Sequence, residues 1–267
     1  MTAVVSEGPV LLDIDGGVAR IVLNRPEASN AVDAELLRAL HGIILRCHSD
    51  PEARVVVLSG AGKNFCSGGD VKTFASKGED LPDYLREATA WLQLATAALI
   101  QLKAPVIAQV HGFAAGGAGF GFVCAADLVV AAEDSRFFSG AVRVGMAPDA
   151  GTTVTLARIV GTRRAMEILL TNPTIAAVEA LGLGFVNRIV PKDELAAAVD
   201  DLAAELAAQP PLALAATKRM VWDGLGSTVA ERLPEEARVV SELSGTSDSR
   251  EALAAVIERR VGHFEGR

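Results

Sequence analysis

The chain has 267 residues, enough for one sizeable core. Half of them are hydrophobic, 22% are charged and the formal net charge is -8 at pH 7. That acidic balance excludes a general nucleic-acid binder but leaves room for a local basic patch toward a small anion. A mean hydropathy of +0.32 points to much hidden apolar surface, part of it between subunits. Cys47, Cys66 and Cys124 stand far apart with no CxxC spacing, so neither a disulfide framework nor a zinc site is expected. A reducing, cytoplasmic setting fits. The opening MTAVVSEGPV has no basic region followed by an apolar one, so no signal peptide is expected.

Residues 10–24 read as a hairpin, two alternating runs flanking Asp15-Gly16-Gly17. Residues 33–48 read as a helix capped by Asp33, with Leu36, Leu37, Leu40, Ile43 and Ile44 on one face. Residues 54–60 and 105–112 are near-continuous apolar strands, the pattern of a parallel sheet covered on both faces. A helix over 82–102 joins them into a crossover unit. A strand over 127–134 repeats the theme and 185–190 is a late short strand. Helices are expected over 192–208, 211–224 and 248–260. The organisation is therefore a core of β–β–α crossovers over 1–191 and a helical region over 192–267. Ala104 to Ala126 carries no charge and could pass for a membrane span, but Pro105, Gln109, His111 and five glycines argue for a strand, a turn and a buried helix start.

Two glycine patterns fail on spacing. GAGK at 60–63 would need Gly at 57 and Ser or Thr at 64 to be a phosphate loop, where Val57 and Asn64 stand. Gly117, Gly119 and Gly121 miss the dinucleotide fingerprint at Phe122. What remains is NFCSGGDVK (64–72) after one strand and HGFAAGGAG (111–119) after the next. Each breaks into glycine and then opens a helix, leaving backbone N–H groups without partners. Two such groups converging on one point would make an oxyanion hole.

The motifs NRPEASNAVD (24–33), FCSGGDVK (65–72), KAPVIAQVHGFAAGGAG (103–119) and VGMAPDAGTT (144–153) resemble the enoyl-CoA hydratase/isomerase, or crotonase, family. The likeness continues through residues 156–191. It implies a spiral of β–β–α units with a helical C-terminal trimerisation region, and a homotrimer or dimer of trimers. It implies an acyl-CoA thioester substrate and no permanently bound cofactor, metal, nucleic acid or membrane. By position, Gly69 gives one oxyanion donor and Gly117 the other; one extra residue before Asp127 leaves Ala118 as the alternative. Coenzyme A contacts map to Glu27, Ala28, Ser29, Cys66, Gly68, Asp70 and Lys72, with Lys218 as a phosphate candidate.

The two glutamates that a hydratase of this family uses fall on Phe120 or Gly121 and on Ala141. None of these can move a proton. Asp149, in APDAGTT, resembles the aspartate base of some isomerase members, although it could equally cap a helix starting near Gly151. The implied activity is double-bond isomerisation with Asp149 as base. Hydration by an atypical base and non-catalytic acyl-CoA binding are the alternatives. His111 reads as structural, and Phe74, Phe120, Phe137, Phe138 and Trp91 as core or pocket lining.

Overall fold

The computed structural model describes residues 5–267; residues 1–4, on which the expectation of no signal peptide partly rests, lie outside the described residues. β1 (Val10–Asp15) and β2 (Val18–Leu23) form the expected hairpin. Gly16 and Gly17 turn it with positive φ. α1 (Ala34–Ser49) starts where the Asp33 carboxylate accepts the Leu36 N–H at 2.9 Å. β3 (Val55–Gly60), α2 (Val71–Ser76), α3 (Leu81–Gln101) and β4 (Val106–Val110) make the crossover. Next come β5 (Phe113–Ala115), α4 (Gly116–Ala125), β6 (Leu128–Ala132) and β7 (Arg136–Phe138). α5 (Thr152–Val160), α6 (Thr162–Thr171), β8 (Ile175–Ala176), α7 (Ala177–Leu183) and β9 (Arg188–Val190) follow. The chain closes with α8 (Leu195–Ala207), α9 (Pro211–Gly224), α10 (Val229–Ser244) and α11 (Ser247–Glu258).

Among the described residues, the main sheet runs in the order β1-β2-β3-β4-β6-β9. Its pairs are parallel except for the hairpin. A small sheet of β5, β7 and β8 lies beyond it. Strand alternation divides the core. Val56, Leu58, Val106, Ala108 and Val110 belong to the apolar cluster built with α1, α3 and α4. Val55, Val57, Ile107 and Val130 pack with Leu195, Val199 and Ala203 of α8. α8 therefore seals the second face of the sheet. The helical region expected beyond 191 thus contributes α8 to the core of the sheet.

The stretch Ala104 to Ala126 resolves into β4, β5 and the buried α4. Among the described residues no helix is long and apolar enough to cross a membrane. The three cysteines are free and buried, and loss of water pushes each thiol up to about 12. β3 and β4 are parallel neighbours, so the two glycine loops leave the sheet at the same edge, the usual place for ligands in α/β folds.

Candidate active site

The loop after β3 and the loop after β4 are tied backbone to backbone. Phe65 donates to His111 O at 2.8 Å, Cys66 to Phe113 O at 3.0 Å, and Ala115 back to Cys66 O at 2.8 Å. One step on, no side chain separates them. A Cβ on Gly68 would lie 2.7 Å from Gly116 Cα, and one on Gly116 equally close to Gly68 Cα. Both residues have positive φ, at 94° and 67°. This contact brings Gly69, Gly117 and Ala118 to the wall of one cavity of about 600 Å³.

The donors there are main-chain. Val32 pairs with the Gly68 carbonyl and the Asp70 N–H, which leaves the Gly69 N–H outside that bridge. Gly117 and Ala118 occupy the first turn of α4, where N–H groups have no intrahelical partner, and Ala115 at the cap offers no side-chain acceptor.

Asp149 lines the same cavity. A Cβ on Gly117 would fall on its Oδ1, so the missing side chain makes room for the carboxylate. Loss of water holds the Asp149 carboxyl above the usual range; its own backbone N–H opposes this only in part. The capping role does not engage the carboxylate. The Thr152 N–H and hydroxyl bond to the Asp149 carbonyl at 3.0 and 2.8 Å, and Gly151 caps α5. Among the described residues, Asp149 and Arg143 are the only charged side chains lining the cavity. Phe120 is fully buried, edge-on to Phe185, while Ala141 lines the wall. Phe120, Gly121 and Ala141, the residues expected at the hydratase glutamate positions, have no ionisable side chain.

Other expected residues divide. Ser29 adjoins the first loop: its carbonyl takes the Ser67 N–H at 3.0 Å, and Ala28 O takes the Ser67 hydroxyl at 3.5 Å. Glu27 and Lys72 are exposed. Asp70 caps α2 through the Thr73 N–H at 3.1 Å and pairs with Arg25 at 3.3 Å. Burial pulls its carboxyl up, but Thr73 and Arg25 together outweigh that and hold it low.

Two expectations are corrected. Cys66 is fully buried with both backbone groups committed to the second loop, so it has nothing left for coenzyme A. Lys218 is 8% exposed, and its Nζ bonds Asp127 at 2.7 Å, Leu99 O at 3.0 Å and Ala104 O at 3.1 Å. That ammonium ties α9 to the end of α3 and the segment before β4, and its three donors are taken, which leaves none for a phosphate. His111 is structural, its Nε2 lying 3.1 Å from Gly62 O. Phe74 and Phe138 line the cavity, whereas Phe120 and Phe137 pack on Phe185 in the core. Trp91 lies beneath Arg38 and beside His41, on α3 and α1.

Sequence reasoning missed Arg143, Asn172 and Arg25. Arg143 donates to Asn172 O at 2.6 Å, and the Asn172 side chain accepts the Gly140 N–H at 2.9 Å. Arg143 is the one charge between Phe137 and Pro148, a signal that could have marked it. Arg25 binds Ala31 O, Asp33 and Asp70, and so ties the 24–33 segment to the first loop.

Comparison with known proteins shows the family and the fold. A family model described as enoyl-CoA hydratase/isomerase matches residues 13–267. A probable enoyl-CoA hydratase of Rhodobacter capsulatus is 39% identical over 255 residues, 96% of this chain and 97% of that protein. The (E)-benzylidenesuccinyl-CoA hydratase of Thauera aromatica is 34% identical over 260 residues, 97% and 99%. The crystal structure of a putative enoyl-CoA hydratase from Streptomyces coelicolor superposes with a TM-score of 0.92 at 32% identity, covering 99% and 97%. Glycine loops at neighbouring strand ends, their shared cavity and a match along nearly the whole chain together establish that this protein is an enzyme of the enoyl-CoA hydratase/isomerase family.

Proposed function

We propose that the protein moves the double bond of an unsaturated acyl-CoA through a thioester enolate, with Asp149 as the shuttling base. Coenzyme A enters as part of the substrate, and no permanently bound cofactor is required. The thioester oxygen accepts the N–H of Gly69 and that of Gly117 or Ala118. Asp149 removes an α- or γ-proton, and the electron pair moves onto the thioester oxygen. The two N–H groups stabilise that charge; losing one such donor raises barriers by about 2.7–4 kcal/mol. Protonated Asp149 then returns its proton to the other end of the three-carbon unit. A raised carboxyl pKa serves this step because the acid must give back what the base took. The peptide of Glu27, Ala28 and Ser29, with Gly68, Asp70 and Lys72, is assigned to the coenzyme A moiety. The proposed assembly is a cytoplasmic homotrimer or dimer of trimers.

The observation that carries this reading is the Asp149 carboxylate set against Gly117, with no other carboxylate lining the cavity among the described residues. A second reading, hydration, is favoured by the names of the relatives, most of them hydratases. It would leave Asp149 alone to manage the water. Incubation in heavy water with 2- and 3-enoyl-CoA thioesters, followed by mass spectrometry and NMR, separates the two. A shifted double bond with deuterium at the α- or γ-carbon is expected. Net addition of water would replace isomerisation with hydration. Tight binding without exchange would mark a non-catalytic acyl-CoA binder.

A further inference from the structure

The cavity wall opposite in charge to Asp149 is a single arginine. Arg143 sits in the short 3-10 turn Ala141–Val144 that follows β7. One nitrogen of its guanidinium donates to Asn172 O at 2.6 Å, and its plane lies 5.4 Å from the Phe138 ring centroid. Phe138 is itself fixed edge-on against Phe113, with centroids 5.9 Å apart. Asn172 is 2% exposed and holds the Gly140 N–H at the entry of the same turn. Arg143 is exposed, and these two contacts orient its guanidinium. No carboxylate pairs with it among the described residues. A guanidinium carries five N–H donors, and one carbonyl leaves most of that fork free. Nor does Arg143 tune the base, since burial and its own N–H account for the shift of Asp149. The rest of the wall includes Phe74, Leu85, Leu92, Val144 and Met146, which suit an acyl chain.

We propose that the acyl group of the natural substrate carries its own anion, a carboxylate distal to the thioester, and that the free fork of Arg143 binds it. The inference rests on the reading of this cavity as an acyl-CoA site. It is separable from the chemistry assigned to Asp149. Arg143 belongs to the 138–149 stretch of the wall, a different part of the chain from the 27–29 and 68–72 segments assigned to coenzyme A, although Gly69 and Val71 of the latter line the same cavity. A planar carboxylate matches the fork in a way a point charge does not. The substrate class is thus the coenzyme A monothioester of a dicarboxylic acid.

Calorimetric titration of the full chain with saturated acyl-CoA thioesters of matched length tests this. One set ends in a carboxylate, the other in a methyl group. The carboxylate set is expected to bind about 10- to 100-fold more tightly, the span for one charge-assisted hydrogen bond. That preference should vanish in Arg143→Gln and persist in part in Arg143→Lys, which keeps the charge without the fork. It should also shrink with added salt. Equal affinities in the wild type, or a preference that survives Arg143→Gln, would overturn the proposal. Proton exchange at the α-carbon of the methyl-ended set, followed in heavy water, reads Asp149 independently. Exchange without a carboxylate preference removes the substrate class and leaves the enolate standing. A preference without exchange does the reverse.

Discussion

Asp149 ties activity to instability. Its pKa is raised by burial, so ionising it in the folded protein places a charge where charge is disfavoured. Its contribution to stability is full below the unfolded value of about 3.9 and is lost as pH rises through the higher folded value. Asp149→Asn should therefore melt above the wild type at pH 7, with the gap closing as the pH is lowered; a lower melting point at pH 7 would contradict this. The same variant should lose about 10²–10⁴ in kcat with KM little changed, the range for a general base. Wild-type kcat/KM should climb with pH as the carboxylate form emerges. The glycines respond differently. Alanine at 117 would displace the carboxylate, whereas alanine at 69 meets the Phe74 ring edge at 2.5 Å, a side chain able to swing. Gly117→Ala should fold normally and lose at least as much activity as Asp149→Asn, while Gly69→Ala keeps more. Rate assays beside circular dichroism check both. Asp149 was legible because it stands in a patterned segment. The consequences of Gly117 were not, since which side chain fills the space of a missing Cβ is a tertiary fact.

At the scale of elements, two ion-pair clusters fix what hydrophobic periodicity alone leaves loose. Arg25 joins the turn before α1 to the cap of α2 and hence to the loop bearing Gly69. Arg25→Ala should lower stability by about 1.5–3 kcal/mol, the worth of hydrogen bonds to charged groups, and reduce kcat with it. Denaturant unfolding beside kinetics would show the two falling together. Lys218 is a stronger case. Desolvation pushes its ammonium pKa down, and Asp127, which also binds Trp222 at 2.8 Å, pulls it up. Lys218→Met strands that carboxylate and should cost about 3–5 kcal/mol while leaving affinity for coenzyme A intact. A selective loss of that affinity would restore the phosphate role. The hairpin, α1, α3, β3 and β4 were readable from alternation, helical spacing and turn chemistry. α10 was not foreseen, although Thr228 and Glu231 form a complete capping box, because Pro234 interrupts its pattern. α5 was foreseen only at its start near Gly151, and α6 and α7 escaped, because glycines, not side-chain caps, start and end much of that region.

The whole molecule keeps apolar surface that its own fold does not cover. Val229, Leu233 and Val240 of α10 and Leu253, Val256 and Ile257 of α11 are exposed, with Ile257 at 81%. This is the physical content of the high mean hydropathy, and it supports the proposed assembly of subunits through the C-terminal helices. Sedimentation of the wild type should give about three times the chain mass of 27.7 kDa, or twice that trimer. Val256→Asp together with Ile257→Asp should release folded subunits. A double variant that sediments unchanged would move the interface elsewhere. Composition pointed to apolar surface in need of cover but not to its place, since the second partner of a helix face is not written in its periodicity.

The placement of a carboxylate beside the first turn of α4 has one more consequence. In the proposed reaction, negative charge leaves Asp149 as it arrives on the thioester oxygen, and both positions adjoin the same helix start. The site would hold one unit of anion before, during and after proton transfer. Its dipoles would keep a single orientation throughout, so little of the barrier would arise from rearranging the surroundings.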